Sequence, residues 1–90
     1  MTYIPVKPLS VINLSALTLR QSVEQAMEQY FLNLEEAQTT DLYDLVIKEV
    51  EMGLFHVVMK HAQGNQSKAA DWLGLARGTL RKRLAEYSID

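Results

Sequence analysis

Arg77, Arg81, Lys82 and Arg83 place four cations within seven residues, with Gly78 and Thr79 between the first two. Side chains of these types stay charged at neutral pH and donate hydrogen bonds, so the chemistry they offer is recognition of an anion, above all phosphate or the acceptor edge of a base. Groups for bond-making are missing by comparison. Eleven Asp and Glu residues are spread along the chain, and no nucleophile and base pair, phosphate loop or metal-ligand spacing occurs. His56 and His61 lie five apart, so on a helix they diverge instead of forming the i, i+4 pair of a zinc-binding helix. Cysteine is absent, which removes disulfides and thiolate metal sites. No cofactor, no metal and no enzymatic activity are expected.

The charge of the whole chain is −2, which taken alone speaks against a nucleic-acid partner. Its distribution speaks the other way. Residues 1–55 hold three bases and eight acids, a net −5, whereas residues 56–90 hold six bases and three acids, a net +3. Such asymmetry points to a basic surface at one end of the sequence.

Helices must position these cations. Ninety residues without a break in composition make one compact domain, short enough that its core needs outside support; without disulfides or metal, a second subunit is the stabiliser left. Residues 1–17 contain both prolines, Pro5 and Pro8, and form an arm that is either disordered or a short β-hairpin. The first helix begins at Thr18, where Thr18 and Gln21 spell a capping box, and its apolar stripe runs through Leu19, Val23, Ala26, Met27, Tyr30, Phe31 and Leu34. Residues 35–40 are a linker ending in Thr39 and Thr40, which can cap the next helix.

A second helix is expected from Asp41 to Ala62, about 33 Å long. Leu42, Leu45, Val46, Ile47 and Val50 share one arc of it, and Leu54, Phe55, Val57, Val58 and Met59 share another, the change falling at Gly53. Two explanations fit: a continuous helix that buries one face against a second copy of the chain, or a break at Gly53 into two helices of a monomer. Gly64 then suits a left-handed helix end and Asn65 a new cap, so a short helix fits Gln66 to Leu73, a turn Gly74 to Ala76, and a fourth helix Arg77 to Tyr87. Residues 18–63 are thus assigned to dimerisation and 64–90 to a helix-turn-helix.

Two helices crossing through a three-residue turn need a small residue at the crossing and a glycine in the turn, met here by Ala70 and Gly74. Leu73, Leu75, Leu80 and Leu84 form the wedge between them, with Trp72 covering it or packing on the second helix. Leu80, Leu84 and Tyr87 share one narrow face of the fourth helix, which leaves Arg77, Thr79, Arg81 and Lys82 outward, suited to enter a DNA major groove and read bases. Asn65, Ser67 and Lys68, at the start of the third helix, are placed to hold phosphate. A merely solvated basic face is the other reading, but cations near a helix N-terminus oppose the dipole and so ask for an anionic partner.

Leu19-Arg20-Gln21-Ser22-Val23, Asp41-Leu42-Tyr43-Asp44-Leu45-Val46, Glu49-Val50-Glu51, Gly64-Asn65-Gln66 and Arg77-Gly78-Thr79-Leu80-Arg81-Lys82 resemble, in this order, the Fis (factor for inversion stimulation) family of bacterial nucleoid-associated proteins. The resemblance spans about residues 19–90 and implies an all-α homodimer whose central helices intertwine. Its two recognition helices would enter neighbouring major-groove segments of bent double-stranded DNA, in regulation of transcription or organisation of the nucleoid, in the cytoplasm and away from membranes. Half-sites closer than one helical turn require the DNA to deform, so deformability contributes to sequence preference. The resemblance makes Arg77 the chief base reader, with Lys82, Thr79 and Arg81 beside it, and gives Asn65, Ser67 and Lys68 the backbone.

Four positions depart from the family pattern. Ala76 stands for an asparagine, Ala85 and Glu86 for lysines, and Gly53 for a proline, which together imply weaker or differently selective binding with less wrapping. In the family the arm touches a site-specific recombinase; here it is short and divergent, which places that contact in doubt. A helical protein-interaction module with vestigial DNA binding is the alternative function.

Overall fold

The computed structural model describes residues 17–34 and 38–89, and the arm expected over residues 1–17 lies outside them apart from Leu17. The described residues form four helices: α1 (Leu19–Leu34), α2 (Leu42–His61), α3 (Gln66–Leu73) and α4 (Arg77–Glu86). The chain falls into two compact units, Met1–Thr39, which carries α1, and Thr40–Asp90, which carries the other three.

In the first unit the capping box forms as its residue types dictate. Thr18 N donates to Gln21 Oε1 at 2.9 Å and Gln21 N to Thr18 Oγ1 at 3.1 Å, which satisfies two of the amides a helix start leaves open. Val23, Met27, Tyr30 and Leu34 of the expected stripe are half-buried, and no residue of α1 is buried. Thr39 does not cap the following helix; its hydroxyl pairs with the Tyr30 hydroxyl at 2.8 Å.

In the second unit α2 runs through Gly53 without interruption, so the break into two helices does not occur. Asp41 precedes it in the left-handed region (φ 56°) and gives no side-chain cap. The helix closes at Gln63 and Gly64, both left-handed, where Gly64 N donates to Met59 O at 3.1 Å and Gln63 N to Lys60 O at 3.2 Å. This is the Schellman pattern, and its left-handed seat one residue past the cap falls to Gln63 rather than to the expected glycine.

Asn65 caps α3 by accepting from Lys68 N at 3.0 Å. The left-handed Gly74 (φ 73°) ends that helix, and Leu75 N closes back on Ala70 O at 3.0 Å. An L-residue pays for this backbone shape, which is why glycine stands in the turn. Helix α4 follows after two residues. The core joins Phe55, Met59 and Ala62 of the α2 end to Ala69 and Ala70 of α3 and to Leu80 and Leu84 of α4, with Val58, Leu73, Leu75, Tyr87 and Ile89 packed around it. Two adjacent alanines let α4 approach α3 closely, and full burial of Leu80 and Leu84 contributes about 1.5–3 kcal/mol each.

Candidate nucleic-acid interface

The α3-turn-α4 unit is a helix-turn-helix, and the core decides which way its cations face. Leu80 and Leu84, four apart, lock one face of α4 inward. Arg77, Arg81 and Lys82 are exposed and find no acidic partner among the described residues. Thr79 belongs less to this surface than its spacing implies, because it sits half-buried beside Leu80. Gly78 is exposed with open space where a Cβ would stand, so the early turns of α4 present a low, basic profile.

Ala76 occupies the cap position of α4 in extended backbone (φ −65°, ψ 143°) and supplies no side-chain cap. The first amides of α4 therefore lack a side-chain acceptor there. No acidic residue lies in the first turn, and the positive end of the helix dipole adds to the cationic side chains.

The α3 residues expected at phosphate are also exposed: Asn65, Ser67 and Lys68 stand together at its first turn. The Asn65 oxygen is engaged by Lys68 N, which leaves the amide nitrogen of the side chain as its outward donor. Lys68 Nζ lies 5.2 Å from the centre of the Trp72 ring, one turn further along, a cation–π distance. Trp72 itself is 45% exposed, so it is not one of the buried core residues. On an eight-residue helix, Ala69, Ala70 and Leu73 already fill the inward face, and Trp72 is left beside Lys68. About 12 Å of helix separates the start of α3 from the turn into α4.

Arg83, the fourth cation of the cluster, points elsewhere. Its guanidinium pairs with Glu51 Oε2 of α2, and the Tyr87 hydroxyl donates to Glu51 Oε1 at 2.6 Å. The Tyr87 ring also stacks near Phe55, 6.2 Å between centres at 29°. By accepting that hydrogen bond, the Glu51 carboxylate holds the Tyr87 phenol above its ordinary range, with burial and the nearby negative charge acting in the same direction. In the sequence Glu51 stands out only within the Glu49-Val50-Glu51 segment of the resemblance, and nothing there pairs it with Arg83, 32 residues away.

The pattern of the family described as "Bacterial regulatory protein, Fis family" matches residues 46–87, from the second turn of α2 to the residue that closes α4. A Fis-like DNA-binding protein of Pseudomonas aeruginosa is 53% identical over 72 residues, covering 80% of this chain and 69% of that protein. The chain belongs to the Fis family. DNA-binding protein Fis of Actinobacillus succinogenes is 49% identical over 71 residues (79% and 72% of the two chains), and that of Proteus mirabilis 47% identical over 72 residues (80% and 74%). Membership places the exposed cations of α4 in the helix-turn-helix of a bacterial regulatory protein. Among the described residues no helix is long and apolar enough to cross a membrane, and no group of three or more His, Asp or Glu could hold a metal.

Proposed function

We propose that the protein is a homodimer that binds and bends double-stranded DNA in the bacterial cytoplasm, regulating transcription or organising the nucleoid by binding and not by catalysis. The carrying observation is α4 itself: Arg77, Arg81 and Lys82 stand exposed and without acidic partners among the described residues, on a helix fixed from behind by two buried leucines. In this reading Arg77, Arg81 and Lys82 reach base edges in the major groove and Thr79 contributes from the edge of that face, while the Asn65 amide, Ser67 and Lys68 hold phosphate. Three relatives named as DNA-binding proteins support it.

Support for the dimer comes from surfaces the subunit leaves unfilled. Helix α1 has no buried residue, and α2 buries only Phe55 and Met59, both toward its C-terminal end. Tyr43, Val50, Leu54 and Val57 are exposed on α2 and fall within about 60° of one another, about 150° round the helix from Phe55 and Met59. An apolar stripe of this kind on a continuous helix is self-complementary across a two-fold axis.

Gel mobility at two salt concentrations tests the reading. Binding to duplex DNA is expected to weaken steeply with salt; Arg77→Ala is expected to abolish preference among sequences, and Lys68→Ala to weaken all complexes alike. Equal loss of preference in both variants would overturn the assignment of roles. A protein-interaction module is the second reading, favoured by the exposure of Phe31 and Leu32 on α1, and it predicts no shift even at low salt.

A further inference from the structure

We propose that Glu51 is a positioning residue for DNA recognition: through Arg83 and Tyr87 it fixes the angle of α4 against α2 and thereby the spacing of half-sites the dimer accepts. The inference rests on the dimeric DNA-binding reading above.

Helix α4 has ten residues and is anchored along its length in two ways. Leu80 and Leu84 seat it in the core shared with α3, contacts that are apolar and define depth better than direction. The polar contacts are directional. Both oxygens of the Glu51 carboxylate are used, one by the Arg83 guanidinium and the other by the Tyr87 hydroxyl, so α4 is tied to α2 at two points one turn apart. Phe55, one turn beyond Glu51 on α2, stacks near the Tyr87 ring and closes the contact. The Glu51 side chain is only 15% exposed, which shields the pair from solvent, while Arg83 remains 39% exposed.

Arg81 and Lys82, the neighbours of Arg83, face outward, so the tie holds the face of α4 opposite the DNA-reading one. If the α2 stripe is the seam between subunits, each recognition helix reaches its groove through α2. Rotation of α4 about the leucine wedge then changes the distance between the two reading faces. A protein with a fixed angle accepts one half-site spacing and makes the DNA adapt; one with a loose angle accepts several.

The test uses duplexes enriched from a random pool by the wild-type protein, remade with one base pair inserted or removed at the centre. Wild type is expected to prefer the enriched spacing, and in Glu51→Ala and Tyr87→Phe/Arg83→Met that preference falls by about tenfold, the scale of one charge-assisted contact. Arg83→Lys, which keeps a cation for Glu51, is expected to retain most of it. A purely structural role would reduce the amount of active protein and leave the ratio between spacings unmoved, and that result overturns the inference. Should Glu51→Ala not fold, the double variant decides by the same ratio. Wild-type protein that shifts no duplex overturns the underlying reading; wild-type protein that binds every spacing equally overturns the positioning role alone.

Discussion

A single carboxylate sets the behaviour of one titrating group. Tyr87 donates to Glu51, and its phenol is raised because ionising it would cost that hydrogen bond and place two negative charges together. The unfolded chain releases this proton near pH 10 and the folded one higher. Stability from this contact is therefore complete below about pH 10 and is lost as pH rises through the folded value, where the unfolded state ionises first. Thermal midpoints measured across that alkaline range are expected to fall for wild type and to fall less steeply for Tyr87→Phe. Equal slopes would show that the hydrogen bond does not govern the titration. Among the cations, exposure separates those proposed to reach DNA from the framework: Arg77, Arg81 and Lys82 have no acidic partner among the described residues, and Arg83 is committed to Glu51.

The ends of the helices differ in how well their own residues close them. At α3 the Asn65 cap, and at α1 the reciprocal Thr18 and Gln21 pair, satisfy amides locally. Helix α4 begins at Ala76, whose extended backbone already fits a cap but whose methyl group accepts nothing. Ala76→Asn is expected to raise stability by about 1 kcal/mol, read as an increase in the denaturant midpoint at unchanged slope. An unchanged midpoint would mean that solvent already satisfies those amides as well as a side chain does. The missing cap lies at the start of the helix proposed to enter DNA, so the same substitution is expected to strengthen DNA binding as well.

At the level of the whole molecule, the second unit has a small core of seven buried residues, and all of them lie from Phe55 onward. Leu54 and Val57 are 46% and 51% exposed in the single chain. If they were ordinary surface, a charged replacement would change stability by about 0.5 kcal/mol or less. As part of a dimer seam they respond differently: Leu54→Glu and Val57→Glu are expected to convert a sedimenting dimer into single subunits and to lose helix content as the unfilled α2 face is released. Wild-type protein that sediments as one subunit would remove the dimer, and with it the coupling of two recognition helices.

The elements themselves were legible in the sequence because each is fixed by neighbours in the chain. The capping box at Thr18, the Asn65 cap, the Gly74 turn and the Ala70 crossing depend on residues three to five positions apart, and their spacing was enough to place α3 and α4. Spacing also brought Arg77, Arg81 and Lys82 to one side, since Leu80 and Leu84 had to face the core. Spacing could not foresee the outward turn of Trp72, the partial burial of Thr79 or the withdrawal of Arg83. These depend on which side chains arrive from elsewhere: two alanines and a leucine fill the inward face of α3 ahead of Trp72, and Glu51 reaches Arg83 from 32 residues away. Local hydrogen bonding and helical period are written along the chain, whereas competition for a limited interior and the pairing of distant charges are settled only when the helices pack.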